Sequence, residues 1–228
     1  MGSDRPIQVA VAVVIDRRGR VLIAQRPAGK HLAGCWEFPG GKIEAGETPR
    51  QGLARELEEE LGITIDHPRP LMRLSHAYPT GEVLLDVWVV RRYRGEPRGL
   101  DGQALVWCSR RALAAAELLP ADQPIVKALY LPERLQRAAL AHSYRVVNFE
   151  DLPQGAAGAN PVLKGVLCRN APEAHAAAAG ADFLAMRAAL PPEELAALCA
   201  RLDIPLYAHG IALERSWILG ATGVTTLA

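Results

Sequence analysis

Between Gly41 and Ile63 the chain reads GKIEAGETPRQGLARELEEELGI, and no other stretch restricts its fold so tightly. Leu53, Leu57 and Leu61 recur every four residues, which predicts one buried stripe on an α-helix. Both ends of that helix are marked. Thr48 and Gln51 form a T-x-x-Q capping box, and Pro49 suits the first turn. Gly62 stands where a left-handed stop is expected.

The polar side of the same helix is unusual. Glu56, Glu59 and Glu60 are spaced i, i+3, i+4, so their carboxylates converge, and each like-charged pair costs about 0.2–0.5 kcal/mol. A divalent cation with oxygen ligands would neutralise them, and a hard ion such as Mg²⁺ suits carboxylates that share it with water and phosphates. A solvated acidic face is the alternative reading. The neighbouring glycines, the isolated Glu47 and the adjacent Arg55 favour the cation.

These residues fill the pattern G-x5-E-x7-R-E-U-x-E-E-x-G-U, with U aliphatic: Gly41, Glu47, Arg55, Glu56, Leu57, Glu59, Glu60, Gly62 and Ile63. The chain thereby resembles the Nudix hydrolases. The resemblance implies an α/β fold, an α/β/α sandwich around a mixed sheet. It also implies that Glu56, Glu59 and Glu60, with the Gly40 carbonyl, bind Mg²⁺ or Mn²⁺ in its place. Glu56 would help orient or deprotonate the attacking water, and Arg55 would pair with Glu47 to hold the array.

Beyond this segment the resemblance narrows to the MutT branch, which acts on oxidised guanine nucleotides. Glu37-Phe38-Pro39-Gly40-Gly41-Lys42-Ile43-Glu44 matches that branch's E-F-P-G-G-K-I-E run. Gln25-Arg26-Pro27 and His31 match the loop before it. Gly95-Glu96-Pro97 and Asp101-Gly102-Gln103 match a segment carrying a further acidic metal ligand, here Asp101. Residues 119–124 match the start of the final helix. By this analogy Arg26, the Phe38 backbone and Asp122 contact the base. Three departures bear on substrate: Asp101 replaces a glutamate, Gly81 an arginine beside the pocket, and Asp122 an asparagine. An asparagine amide accepts from the N7–H of 8-oxoguanine and donates to O6. An ionised Asp122 accepts but cannot donate, whereas a buried, protonated one could do both.

Composition narrows the classes. The chain has 228 residues, half of them hydrophobic, and a formal charge of +1, so it offers no electrostatic footprint for a nucleic acid polymer. The longest apolar runs, 9–15 and 83–90, are far below a membrane span. The N-terminus shows no secretory leader, and Cys35, Cys108, Cys168 and Cys199 form no C-x-x-C pair. A cytoplasmic protein with reduced thiols is expected.

Two domains are expected, 1–131 and 132–228. In the first, strands at 9–15 and 21–25 flank the turn 16–19 and predict a hairpin. A loop with Gly29, Gly34 and Pro39 leads into the acidic helix. Strands follow at 71–76, 83–92 and 104–108, then a helical turn at 113–117. A closing helix at 124–131 has Asp122 as its cap. In the second, the segments 145–149, 163–168, 171–179, 182–185, 192–202, 205–208, 213–219 and 224–227 alternate between strand and helix character, which indicates βα repeats and a parallel sheet. Residues 154–160 read as a loop. The stretch 162–186 resembles part of a thiamine phosphate synthase barrel. About four strands are present against eight in a closed barrel, so a partial barrel serving packing or a homodimer is expected, with a second small-molecule site as the alternative.

Trp36 is open to two readings, a wall of the base pocket or core. Trp88 and Trp107 read as core, and His76, His142 and His175 as isolated residues. The leading expectation is a Mg²⁺-dependent hydrolase converting 8-oxo-dGTP to its monophosphate and pyrophosphate. A Nudix hydrolase of another nucleotide or nucleotide sugar is the second, and a non-catalytic nucleotide sensor the third.

Overall fold

The computed structural model describes residues 6–135, 144–148 and 163–225. The loop expected at 154–160 and His142 lie outside them. The chain divides into two compact units, Met1–Arg69 with Ser75–Val126, and Pro70–Leu74 with Lys127–Ala228.

The first unit is built on β1 (Ile7–Val14), whose residues from Ala10 onward are buried. A strand apolar on both faces is a central strand and needs a partner along each edge. It has β4 (Gly40–Lys42) antiparallel on one side and β7 (Gly81–Val90) parallel on the other, with Val11 opposite both Gly40 and Val87. The four-stranded sheet runs β4-β1-β7-β6, where β6 is Arg69–Tyr78. A second sheet joins β2 (Val21–Gln25) to β3 (Trp36–Glu37) and β9 (Leu105–Cys108), and β5 (Thr64–Asp66) pairs with β8 (Arg92–Arg94).

The expected β1–β2 hairpin is therefore corrected. The turn exists, with Asp16 Oδ1 accepting from the N–H groups of Arg18 and Arg20 at 2.9 and 2.8 Å. Only Ile15 and Val21 bridge across it, and the two strands then enter different sheets. The glycine run at 40–42, read as loop, is likewise strand.

Helix α1 (Pro49–Leu61) forms as its caps dictate, with the capping box between Thr48 and Gln51 complete and Gly62 left-handed at φ 67°. Leu53, Leu57 and Leu61 are fully buried against Ala10, Ala12, Val14, Leu22 and Val90. Burial of each leucine contributes about 1.5–3 kcal/mol. Trp88 and Trp107 pack against this core. Helix α2 (Arg110–Ala114), a 3₁₀ turn (Pro120–Asp122) and α3 (Gln123–Ala128) complete the α/β/α sandwich.

In the second unit, β10 (Arg134–Leu135), β11 (Tyr144–Asn148), β12 (Leu163–Cys168), β13 (Phe183–Met186), β14 (Leu206–His209) and β15 (Gly223–Thr225) form one parallel sheet in the order β10-β15-β14-β13-β12-β11. From β11 to β15 each strand lies beside its successor, so every crossover steps the same way. Right-handed crossovers then place their helices on one face. Accordingly α4 (Ala171–Ala178) and α5 (Pro192–Cys199) bury Ala174, Ala177, Leu195 and Leu198 against Val166, Leu184, Met186 and Ala208. Helix α6 (Leu213–Ile218) follows β14. The opposite face holds Leu135, Leu167, Phe183, Ala185 and Tyr207, with the two rings edge to face at 5.7 Å. This is the wall of a half-barrel, with six strands among the described residues where about four were expected. The four cysteines are free, and no helix among the described residues is long and apolar enough to cross a membrane.

Candidate active site

Strand β4 lies close against both β1 and the polar side of α1. A Cβ on Gly40, whose φ is +143°, would lie 2.1 Å from the Ala10 carbonyl oxygen. One on Gly41 would lie 2.3 Å from the Glu56 carboxyl group. The Glu56 carboxylate thus rests directly on the backbone of the glycine strand.

Arg55 organises the acidic side chains. Its Nε and Nη2 donate to Glu47 Oε1 and Oε2 at 2.8 and 3.0 Å, and its Nη1 donates to Glu56 and Glu59, each at 3.0 Å. Nη2 also reaches the Lys42 carbonyl at 2.9 Å. The Arg55 bonds hold the Glu47 carboxyl at a pKa of about 2. Arg55 itself is pushed above its ordinary value, by Glu47 first and then Glu56.

Glu60 lies outside this network and behaves oppositely. Burial, and then the charge of Glu56, raise its pKa to about 7, against a hydrogen bond from the Gly40 N–H. Glu59 is directed to Arg55 and is 60% exposed. Asp101 is exposed, in a loop tied to the end of α1 by the Gln103 side chain and the Leu100 N–H, which donate to the Glu60 carbonyl at 3.1 and 3.0 Å. Among the described residues no three His, Cys, Asp or Glu side chains gather closely enough to hold a metal. Arg55 instead takes up Glu47, Glu56 and Glu59. The donors nevertheless fit a hard divalent cation. Glu56 and Glu60 are adjacent oxygen donors, and the half-buried Glu60 has no cation of its own among these hydrogen-bonding partners.

A second cluster lies on β3 and the 3₁₀ turn. Phe38 and Asp122 are 3% and 4% exposed, and the Phe38 N–H donates to Asp122 Oδ2 at 3.1 Å. Burial raises the Asp122 pKa to about 7, with Glu37 adding and the Phe38 N–H and Arg26 opposing. Asp122 is therefore not the cap expected for the closing helix. It ends the 3₁₀ turn that runs straight into α3, and its carboxyl points across the fold to Phe38. Arg26 forms an ion pair with Glu37, and its Nε donates to the His31 carbonyl at 2.8 Å. Burial raises Glu37, and Arg26 opposes that rise.

Glu37 was not among the expected site residues, although it faces Arg26 and influences both Glu60 and Asp122. Its place beside Phe38 in the glutamate-bearing run was the available signal. Tyr78 was missed too, and nothing local marked it. His76, expected to stand alone, has its ring 4.5 Å from that of Tyr78. Trp36 is half-buried, its backbone bonded to Glu117 and Leu119. Gly81 is exposed, with nothing within 4 Å of where a Cβ would stand.

The NUDIX domain family matches residues 10–128. The 8-oxo-dGTP diphosphatase of Escherichia coli (strain K12) is 40% identical over 125 residues, which are 55% of this chain and 97% of that protein. The CTP pyrophosphohydrolase of the same organism is 42% identical over 118 residues, 52% of this chain and 87% of that protein. The solution structure of the E. coli ORF135 protein superposes with a TM-score of 0.51 at 39% identity, covering 57% of this chain and 92% of that one. The glycine strand, the Arg55-centred carboxylates and these similarities make one conclusion: the chain belongs to the Nudix hydrolases, in their MutT-like branch.

Proposed function

We propose that this protein is a Mg²⁺-dependent nucleoside triphosphate pyrophosphohydrolase that converts 8-oxo-dGTP to 8-oxo-dGMP and pyrophosphate, clearing an oxidised nucleotide from the cytoplasmic pool. The observation that carries it is the pairing of the two clusters: acidic Glu56 and Glu60 against the glycine strand, and Asp122 on the Phe38 backbone.

Hydrolysis of a phosphoanhydride is mostly positioning and charge neutralisation. Glu56, Glu60 and the Gly40 carbonyl would hold the cation, with Glu59 and Asp101 at the same end of α1. When bound, Mg²⁺ shields phosphate oxygens and acidifies coordinated water. The chain's own part is to orient the attacking water through Glu56 and to fix that carboxylate through Arg55 and Glu47. At the other end, Asp122 Oδ2 is engaged by Phe38, which leaves Oδ1 for a base. Ionised, Oδ1 accepts from the N7–H of 8-oxoguanine and repels the bare N7 of guanine. Arg26 borders the same pocket through Glu37. Residues 132–228 are proposed as a separate βα-repeat domain for packing or homodimer formation.

A second reading follows from the same carboxylate and from the CTP-hydrolysing relative. An ionised Asp122 accepts equally well from the N4 amine of cytosine. Steady-state kcat/KM for 8-oxo-dGTP, dGTP and CTP with Mg²⁺, in wild type and Asp122→Asn, tests both. Preference for 8-oxo-dGTP, with the ratio to dGTP shifted about tenfold in the variant, is expected. Preference for CTP selects the second reading, and no pyrophosphate from any nucleotide leaves a binding protein.

A further inference from the structure

The loop that joins β8 to β9 covers the carboxyl end of α1 with its own donors. The last carbonyls of a helix have no partner within it. The Gly62 N–H takes that of Glu58 and the Ile63 N–H that of Leu57, at 3.0 and 3.3 Å. Two more are met from the loop: the Leu100 N–H donates to the Glu60 carbonyl and the Arg98 N–H to the Leu61 carbonyl, each at 3.0 Å. The loop closes tightly on itself at Gly99, where a Cβ would lie 2.0 Å from the Gln103 carbonyl oxygen.

Gln103 adds a side chain to this clasp. Its Nε2 donates to the Glu60 carbonyl at 3.1 Å, across 43 residues of sequence, and its Oε1 accepts from the Asp101 N–H at 2.9 Å. One carboxamide thus joins the backbone of a helix glutamate to the backbone of a loop aspartate. It can do both because it carries a donor and an acceptor on one planar group, whereas a carboxylate of the same length would lose the donor. Asp101 itself is exposed. An exposed carboxylate on an untethered loop loses conformational freedom when it takes an ion, and a backbone restricted beforehand loses less.

We propose that Gln103 is a positioning residue for the cation, seating Asp101 at the carboxyl end of α1 so that its carboxylate joins Glu60 in holding Mg²⁺. The inference rests on the reading that Glu56 and Glu60 bind the cation. It adds the device that brings a loop carboxylate to the helix.

Mn²⁺ binding to the nucleotide-free protein, read from the loss of the aqueous Mn²⁺ EPR signal, tests this in wild type, Glu60→Gln, Asp101→Asn, Gln103→Met, Gln103→Asn and Asp101→Asn/Gln103→Met. Gln103→Met keeps the length of the side chain and loses both bonds. It should weaken Mn²⁺ binding about three- to tenfold, the fold-change that one such bond is worth. The Mg²⁺ concentration giving half-maximal hydrolysis should rise by the same factor, while kcat at saturating Mg²⁺ stays within about twofold. Gln103→Asn, still an amide but one methylene shorter, should fall between wild type and Gln103→Met, and it carries the comparison if Gln103→Met does not fold. On the Asp101→Asn background Gln103→Met should change Mn²⁺ binding by less than about twofold, since the carboxylate that it seats is gone. Equal losses on both backgrounds, or an unaltered affinity with a lower metal-free Tm, make Gln103 merely structural. If Glu60→Gln weakens Mn²⁺ binding while Asp101→Asn and both Gln103 variants do not, this inference falls alone. If Glu60→Gln does not weaken it either, the cation reading falls with it.

Discussion

The two side-chain clusters of the first unit, proposed to meet the phosphates and the base, are assembled in opposite ways. The first comes almost whole from one continuous segment, with Gly40, Gly41, Glu47, Arg55, Glu56 and Glu60 within 21 positions of one another. The cluster proposed for the base draws Arg26, Phe38 and Asp122 from three separated places, and its central hydrogen bond spans 84 residues. The first is exposed to change in one continuous segment, the second to change in any of three. On the proposed reading, chemistry is fixed locally, while selectivity depends on the packing of the whole unit.

If that contrast holds, Glu60→Gln should leave the fold intact and lower kcat about hundredfold or more, the order expected when a holder of the charge-neutralising cation is lost. Since burial disfavours the Glu60 charge, Tm should be unchanged or higher. Near-wild-type turnover would break the comparison at its stronger side. Arg55→Lys is the next largest. A lysine cannot reproduce the fork that joins Glu47, Glu56, Glu59 and the Lys42 carbonyl. A loss of about ten- to hundredfold in kcat is expected, together with a weaker response to Mg²⁺ in a titration.

The smallest effect concerns Asp122 and pH. Its folded pKa of about 7 stands above the ordinary 3.8. A group raised in this way contributes stability that is full below the unfolded value and lost as pH rises through the folded one. Asp122→Asn should therefore gain stability relative to wild type between pH 5 and 8, on the order of 1 to 2 kcal/mol after local relaxation. Urea melts across that range measure it, and a flat difference would mean that Asp122 is ionised in the fold throughout.

How much was legible in the sequence follows the same division. Helix α1 was readable to its ends because Thr48, Gln51, Pro49 and Gly62 act on their own neighbours. The half-barrel strands from β11 to β15 were readable because each apolar run is punctuated locally, whereas the two-residue β10 was not. The β1–β2 hairpin was not, since a turn at Asp16 says nothing about β7 lying parallel to β1 some seventy residues later. The two-residue β3 and the glycine strand β4 carry too few side chains for periodicity to detect. Asp122 stood where a cap belongs, and only the fold shows its carboxyl turned to Phe38. Tyr78 had no local mark, because the His31 ring that meets it belongs to a distant loop.

Helix α1 has no acidic residue in its first turn and no basic residue in its last, while Glu58, Glu59 and Glu60 crowd the carboxyl end. That end of a helix already carries about half a negative charge from its aligned peptide dipoles. The carboxylates therefore sit at the wrong pole, and the helix is held by its leucines and caps in spite of its electrostatics. A cation captured there would relieve both the side chains and the macrodipole, and any ligand that binds only the folded state raises stability by mass action. The folding equilibrium and the loading of the site are then one linked equilibrium, so the unit is most robust in the state in which it can turn over substrate.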